Sequence, residues 1–388
     1  MSRPKIGIVF LRLTPGGGGE AAALWTTEAL KKDYDVSLIS IGRILLPELN
    51  ACYGTDMKPG EIRTIEVPVP KCINQYFDVL RGAWFSRLWR QLSSQFDLMI
   101  SAYNVVNFEK KGIQFIADFS FDESLRRAFL ELPFGIEQIF YLPGPHRWLY
   151  RTVGRMISGT GRCDWKRNMT VSNSEWTRRV MKRTYGLESK VIYPPVIMDD
   201  AFLPWDQKET GFVFLGRLAP EKHVERIIKI LKEARLSVPD LHLHIVGGMR
   251  HDFYSRKIMR LCRQNKDWIF YEGVRFQDEK RKIIAHHKFG ISARANEPFG
   301  IAVAEMTLAG NLVFVPKGGG QVEIVDHPAL IYEDAADAAE KIVRVLRDPF
   351  LQNSLREHLR GRGERFSPKK FREEIRATVR EFFANQTV

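Results

Sequence analysis

The sequence predicts an α/β protein built from two doubly wound parallel sheets. Three observations carry that expectation. Apolar strand-like runs alternate with amphipathic helical runs along most of the chain. The alternation stops at the double proline Pro194-Pro195 and then restarts. Glycine clusters follow the strand-like runs, at the carboxyl ends where such sheets bind their ligands. The division expected is a first domain over 1–195, a second over 196–366 and a terminal helix over 367–388.

The elements follow in order. KIGIVFL (5–11) reads as a buried strand that ends in TPGGGGE, and EAAALWTTEALKK as the helix after it. DVSLISI (35–41) and RTIEVPV (63–69) read as extended, YFDVLRGAWFSRLWRQLSSQ (76–95) as helical, and DLMISA (97–102) and IQFIADF (113–119) as strands. RNMTVSNSEWTRRVMKRTYG (167–186) reads as a strand, a Ser/Asn turn and a capped helix closed by Gly186. VIYPPV (191–196) ends this half. Beyond it, GFVFLGRL (211–218), LHLHIVGG (241–248), WIFYEG (268–273), FGISAR (289–294) and NLVFVP (311–316) read as strands. Helical runs separate them near 224–234, 253–264 and 278–287, and EPFGIAVAEM (297–306) precedes the last. A helical run near 335–348 and two more helices close the chain.

Composition narrows the classes. A chain of 388 residues is long enough for two domains, each with its own core. Four cysteines without CxxC or Cys/His spacing argue against a zinc site and a disulfide framework, and fit a reducing compartment. The N-terminus does not read as a secretory signal, and no run of eighteen apolar residues spans a membrane. Net charge is +13, which suggests an anionic partner. Residues 147–183 alone hold ten basic and two acidic side chains.

The segment EPFGIAVAEM places two carboxylates, Glu297 and Glu305, in apolar surroundings where a charge is costly unless paired. Pro298 suits the first turn of a helix, and Gly310 the position just past its end. On such a helix Glu305 lies two turns on, rotated about 80° from Glu297. The plain alternative is a helix cap and one exposed spot. FLGRLAPEKH (214–223) supplies Arg217 and Lys222 beside Pro220, expected to start a helix whose N-terminus favours anions. PKGGGQVEIV (316–325) and TPGGGGE (14–20) bring successive backbone amides close to an anion. Neither is GxGxxG, which counts against an NAD enzyme.

GRLAPEKH, HIVGG, WIFYEGV, EPFGIAVAEMTLAG and KGGGQVEIV occur in the order and spacing of the family-4 retaining glycosyltransferases, which the chain resembles over nearly its whole length. The glutamate pair matches that family's E-x7-E motif. The resemblance implies the GT-B fold: two Rossmann-like domains facing a cleft, the first on the acceptor side, the second binding the nucleotide sugar. The last helix would cross back to the first domain. By the same resemblance Glu305 would take the ribose hydroxyls. Glu297 would hold sugar hydroxyls and favour the developing oxocarbenium ion. Arg217 and Lys222 would neutralise the diphosphate, helped by amides near Phe299, Gly300 and Ile301. Gly16, Gly17, Gly18 and Gly19 would face the phosphates from the first domain, and Glu272, Gly273 and Val274 would meet the base. Gly216 and Gly247, at strand ends, complete the donor set. Asp118 stands near the place of a histidine that many members carry; it would contact the sugar, or it is a turn residue after the strand.

The resulting expectation is a cytoplasmic, retaining enzyme that moves a hexosyl unit from a GDP- or UDP-sugar to a glycan or lipid-linked acceptor. YPPV (193–196) is frequent among the family's mannosyltransferases. No metal or other cofactor is expected, and no nucleic acid. Tryptophans among the bases of 81–90 and 147–183 suggest an anionic membrane face as a partner. Two other classes stay open: a basic nucleic-acid-binding protein on the same scaffold, and a nucleotide-sugar binder without turnover.

Overall fold

The structure, a computed structural model, describes residues 3–15, 17–68, 78–129, 144–158, 164–197, 203–250 and 252–386. They fall into two compact units. The first comprises Met1–Glu123, Ile139–Pro195 and Pro368–Val388, the second Ser124–Gln138 and Val196–Ser367.

In the first unit, strands β1 (Lys5–Val9), β2 (Asp35–Ile41), β3 (Arg63–Val67), β4 (Leu98–Ser101), β5 (Ile113–Ile116), β6 (Met169–Ser172) and β7 (Lys190–Val191) form one sheet. Their order is β3-β2-β1-β4-β5-β6-β7, all parallel. The inner strands β1, β2, β4, β5 and β6 are buried along nearly their whole length, as a sheet covered by helices on both sides requires, while the edge strands β3 and β7 are partly exposed. The order reverses between β1 and β4, so the loops after those two strands flank the ligand-binding crevice of this topology. The helix Gly18–Leu30 follows β1.

Several expected boundaries shift for local reasons. IQFIADF leaves the sheet after Ile116, because the Asn104 side chain takes over as acceptor for the amides of Ala117 and Asp118, at 3.1 and 3.2 Å. Of VIYPPV only Val191 lies in a strand, as the last residue of β7, since proline offers no ladder donor. Ser174 caps the helix Glu175–Tyr185 by accepting from Thr177 N at 3.0 Å, and Gly186 closes it in the left-handed region.

The aromatic segment 81–90 lies on the helix Asp78–Ser93, but not with one ring-lined face outward. Phe85 and Trp89 are buried with Val9, Ile39, Met99 and Phe108, leaving Trp84 as the exposed ring. Their burial follows from the helix's position over β1, β2 and β4. The terminal helix Pro368–Ala384 belongs to the first unit. It buries Phe371, Ile375, Val379 and Phe382, and packs against the helix Gly18–Leu30, where Arg376 Nε donates to Ala29 O at 2.8 Å.

The second unit repeats the plan. Strands β8 (Glu209–Leu215), β9 (Leu243–Val246), β10 (Ile269–Gly273), β11 (His287–Ile291), β12 (Leu312–Pro316) and β13 (Ile331–Tyr332) run in the order β10-β9-β8-β11-β12-β13, again all parallel. Here the reversal falls between β8 and β11. Among the described residues no helix is long and apolar enough to cross a membrane.

Candidate functional site

The loops leaving β8, β11 and β12 meet at the carboxyl end of the second sheet. Pro220 does not open a long helix: Pro220–Lys222 is a single 3-10 turn, and His223 reverses the chain with φ of 49° before the helix Val224–Arg235. That turn aims Lys222 at the loop after β11. Its Nζ lies 2.6 Å from Glu297 Oε2. Arg294, three residues before the glutamate, places its guanidinium 3.2 Å from the same oxygen.

Both members of the Lys222–Glu297 pair are mostly shielded, with side chains 22% and 17% exposed. Burial alone would raise the Glu297 carboxyl pKa. The Lys222 and Arg294 charges and hydrogen bonds outweigh it and hold the group at about 2. Glu297 is therefore an anion throughout the physiological range, set between two cations.

Its position differs from the expectation in an instructive way. The helix begins at Ile301, not at Pro298, because Gly300 interrupts the chain with φ of 100°. Glu297 thus sits in a loop, and another loop holds it. Gly320 N donates to Glu297 O at 2.8 Å, and Gln321 Nε2 donates to Arg294 O at 2.6 Å. Gly319, with φ of 75°, passes so close that a Cβ there would stand 2.5 Å from Glu297 O. The KGGG run is a template for the glutamate's backbone, which only glycine permits.

Glu305 projects from the helix Ile301–Leu308 and pairs with Lys280, Nζ to Oε1 2.7 Å. The other side chains of this helix are largely apolar, and Val303, Ala304 and Met306 are buried. Gly310 takes the left-handed conformation just past its end. Phe299 is buried edge-on against Phe366, so what it and Gly300 can offer a ligand is backbone.

The remaining residues divide. Gly216 and Gly247 end β8 and β9 with positive φ and lie in contact. Gly273 and the exposed Val274 close β10, and Glu272 accepts from His244 and Arg275. Arg217 is the outlier of the cluster: its side chain is 65% exposed, with Glu221 3.9 Å away.

In the first unit, Gly17 caps the helix Gly18–Leu30 and is pinned by the Tyr53 hydroxyl, which accepts from Gly17 N at 3.0 Å. Gly18 and Gly19 form the first turn of that helix, and Gly16 lies outside the described residues. Asp118 accepts from the Tyr103 hydroxyl, Asn104 Nδ2 and Ser120 N at 2.5, 2.7 and 2.9 Å.

Arg294 and Lys280 were missed in the sequence. Arg294 had a signal, a base three residues from a glutamate in a loop. Lys280 had none, since its helix meets Glu305 only through the fold.

Residues 198–365 match the family model described as glycosyl transferases group 1. A GDP-Man:Man(3)GlcNAc(2)-PP-Dol alpha-1,2-mannosyltransferase of Candida glabrata is 26% identical over 197 residues, 45% of this chain and 35% of that protein. Its namesake in Neurospora crassa is 24% identical over 245 residues, 53% of this chain and 43% of that one. The matched stretch thus spans under half the length of either relative. In fold, sucrose-phosphate synthase from Thermosynechococcus elongatus superposes with a TM-score of 0.69 at 17% identity, covering 99% of this chain and 100% of that one. The six-stranded sheet, its loop cluster and these likenesses agree: residues 198–365 form a glycosyl transferases group 1 domain, in a chain of GT-B fold like the family-4 glycosyltransferases.

Proposed function

We propose that this chain is a retaining glycosyltransferase that moves a hexosyl unit, mannose first among the candidates, from a nucleotide-diphosphate sugar to a glycan or lipid-linked acceptor. The observation that carries the reading is the Lys222–Glu297–Arg294 cluster at the carboxyl ends of β8 and β11. A diphosphate leaving group develops negative charge as the glycosidic bond breaks. Preorganised charge aimed at such a point is usually the largest single catalytic term. Lys222 would shift from Glu297 toward the phosphates, with Arg217 reaching in from the same loop. Glu297 would then hold sugar hydroxyls and face the oxocarbenium ion as an anion, which its low pKa secures. Glu305 would accept the ribose hydroxyls, and the loop at Glu272, Gly273 and Val274 would meet the base. The mannosyl donor is favoured by the relatives whose names state GDP-Man as donor. The reaction so derived needs no metal. Asp118, engaged by Tyr103 and Asn104 of the loop after β4 and by Ser120 of its own, would act by tying those two loops together rather than by contacting sugar. Purified chain given GDP-mannose and a glycan acceptor should release GDP; steep salt-dependent RNA binding without donor consumption would instead establish the nucleic-acid class.

A membrane-borne acceptor is supported by the helix Pro145–Ser158. Trp148 and Met156 are 64% and 77% exposed, Leu149 is exposed beside them, and Arg151 and Arg155 share the helix. Apolar side chains beside arginines are what an interfacial helix presents to anionic lipid. The chain should co-sediment with anionic vesicles at low salt, and a Trp148→Ser/Met156→Ser variant should not. No sedimentation with anionic vesicles beyond that seen without vesicles would leave a soluble acceptor as the better reading.

A further inference from the structure

The second unit carries a histidine cluster near the amino ends of β8, β9 and β11, away from Lys222 and Glu297 but touching Glu272 of β10. LHLH places His242 and His244 two residues apart, and so on one face of β9 and the residue before it. His287 opens β11. The two strands are not neighbours, because β8 runs between them. What lets their side chains meet is Gly211 on β8: a Cβ there would stand 2.1 Å from His242 Nε2. The imidazoles close over this bare position, with ring centroids 5.4, 5.3 and 4.5 Å apart and planes inclined by 78°, 68° and 55°. One ring nitrogen from each lies within 4.8 Å of the others.

Each ring is held by a partner of its own. His287 Nδ1 contacts Ile283 O at 2.6 Å, His244 Nδ1 contacts Glu272 Oε1 at 2.9 Å, and His242 bonds to the Asp240 backbone. Orientation of a histidine by a carbonyl or carboxylate behind it is the outer shell that metal-ligating imidazoles carry. Of the facing nitrogens, that of His287 is buried without a hydrogen-bond partner: the residue is 3% exposed and its Nε2 meets none, while His242 Nε2 faces Glu209. An unpaired buried nitrogen costs free energy unless something occupies it. Glu209 Oε2 stands over this gap, 3.3 Å from His242 Nε2 and 3.8 Å from His287 Nε2. Ligand atoms around a tetrahedral Zn2+ with bonds of about 2.0–2.1 Å stand about 3.4 Å apart.

We propose that His242, His244 and His287, joined by Glu209, bind one divalent transition-metal ion of the Zn2+ class. A donor set of three imidazoles and a carboxylate suits Zn2+ and not Mg2+ or Ca2+, which take oxygen ligands. To reach the spacing of about 3.4 Å the ring nitrogens, now within 4.8 Å of one another, must draw together by up to about 1.4 Å, a change shared among three side-chain rotations. The ion would clip β9 to β11 across β8 and so brace the sheet whose other end carries Lys222 and Glu297. It takes no part in sugar transfer. The cysteine pattern that spoke against zinc in the sequence bears on thiolate sites only; these ligands are brought together by strand order.

The test uses the full chain, freed of any affinity tag, stripped with a chelator and titrated with Zn2+ against a chromophoric competitor. One Zn2+ per chain is expected, and Co2+ in its place should show the visible bands of a tetrahedral complex. His244→Asn should lower the affinity at least about 100-fold, and Glu272→Gln, which removes an orienting partner, about 10–100-fold. Both positions are partly exposed, and folding of each variant is checked by circular dichroism and by thermal unfolding of the metal-free chain. Failure of the wild-type chain to take up stoichiometric Zn2+ overturns the proposal. So does a folded His244→Asn variant that binds as tightly as wild type, the mark of an adventitious surface ion.

Discussion

Lys222→Ala should lower turnover at saturating donor about 100-fold or more, the scale set by removal of one preorganised charge from a developing anion. The lysine has two tasks in the account. It neutralises the leaving diphosphate, and before the donor arrives it neutralises Glu297, 2.6 Å away. Removing it leaves Arg294 as the remaining cation on that carboxylate, so the Glu297 pKa rises from about 2. The sign of the accompanying stability change follows. A depressed carboxyl stabilises the fold above its ordinary pKa, and loses that contribution as pH falls through the depressed value. The variant should therefore lose stability near neutral pH and show a shallower acid loss than wild type. Arg217→Ala should be milder, because that side chain is mostly in solvent. Near-normal turnover by a folded Lys222→Ala variant would remove the clamp from the account.

Glu305→Ala should weaken binding of nucleoside diphosphate by about 1.5–3 kcal/mol, the worth of hydrogen bonds to a charged group. By calorimetry that is roughly a 10- to 150-fold rise in Kd. The alternative is that Glu305 merely pairs with Lys280 at 2.7 Å. The two roles separate in a comparison with Lys280→Ala. A structural pair makes both variants equally less stable and leaves affinity alone. A ribose ligand makes Glu305→Ala lose affinity well beyond Lys280→Ala.

Much of this architecture was legible in the sequence, because its signals are local. Apolar runs of strand length, the Ser174 cap, the stop at Gly186 and the glycine past the helix at Gly310 are each decided by a few neighbouring residues. Order along the chain sufficed for the fold, since alternating strands and helices leave few parallel topologies open. What was not legible depends on contacts between distant segments. Glu297 looked like a helix-terminal residue; the left-handed Gly300 and the amide of Gly320 instead fix it in a loop. Phe85 and Trp89 share a helix with Trp84, and only the packing of that helix shows which ring is core and which is surface. Lys280 meets Glu305 across 25 residues of chain, and His242 meets His287 across a whole intervening strand. Spacing carries no trace of either.

The central claim is that the charged cluster at the carboxyl end of the second sheet drives transfer of a sugar from its diphosphate with retention. The most direct measurement is the fate of GDP-mannose with purified chain and a mannosylated or lipid-linked oligosaccharide acceptor, read by GDP release and by NMR of the new linkage at early times. GDP release should depend on acceptor, on Lys222 and on Glu297, and the product's anomeric configuration should match that of the α-configured donor. A β-linked product, or donor left intact across GDP- and UDP-sugars alike, would contradict it.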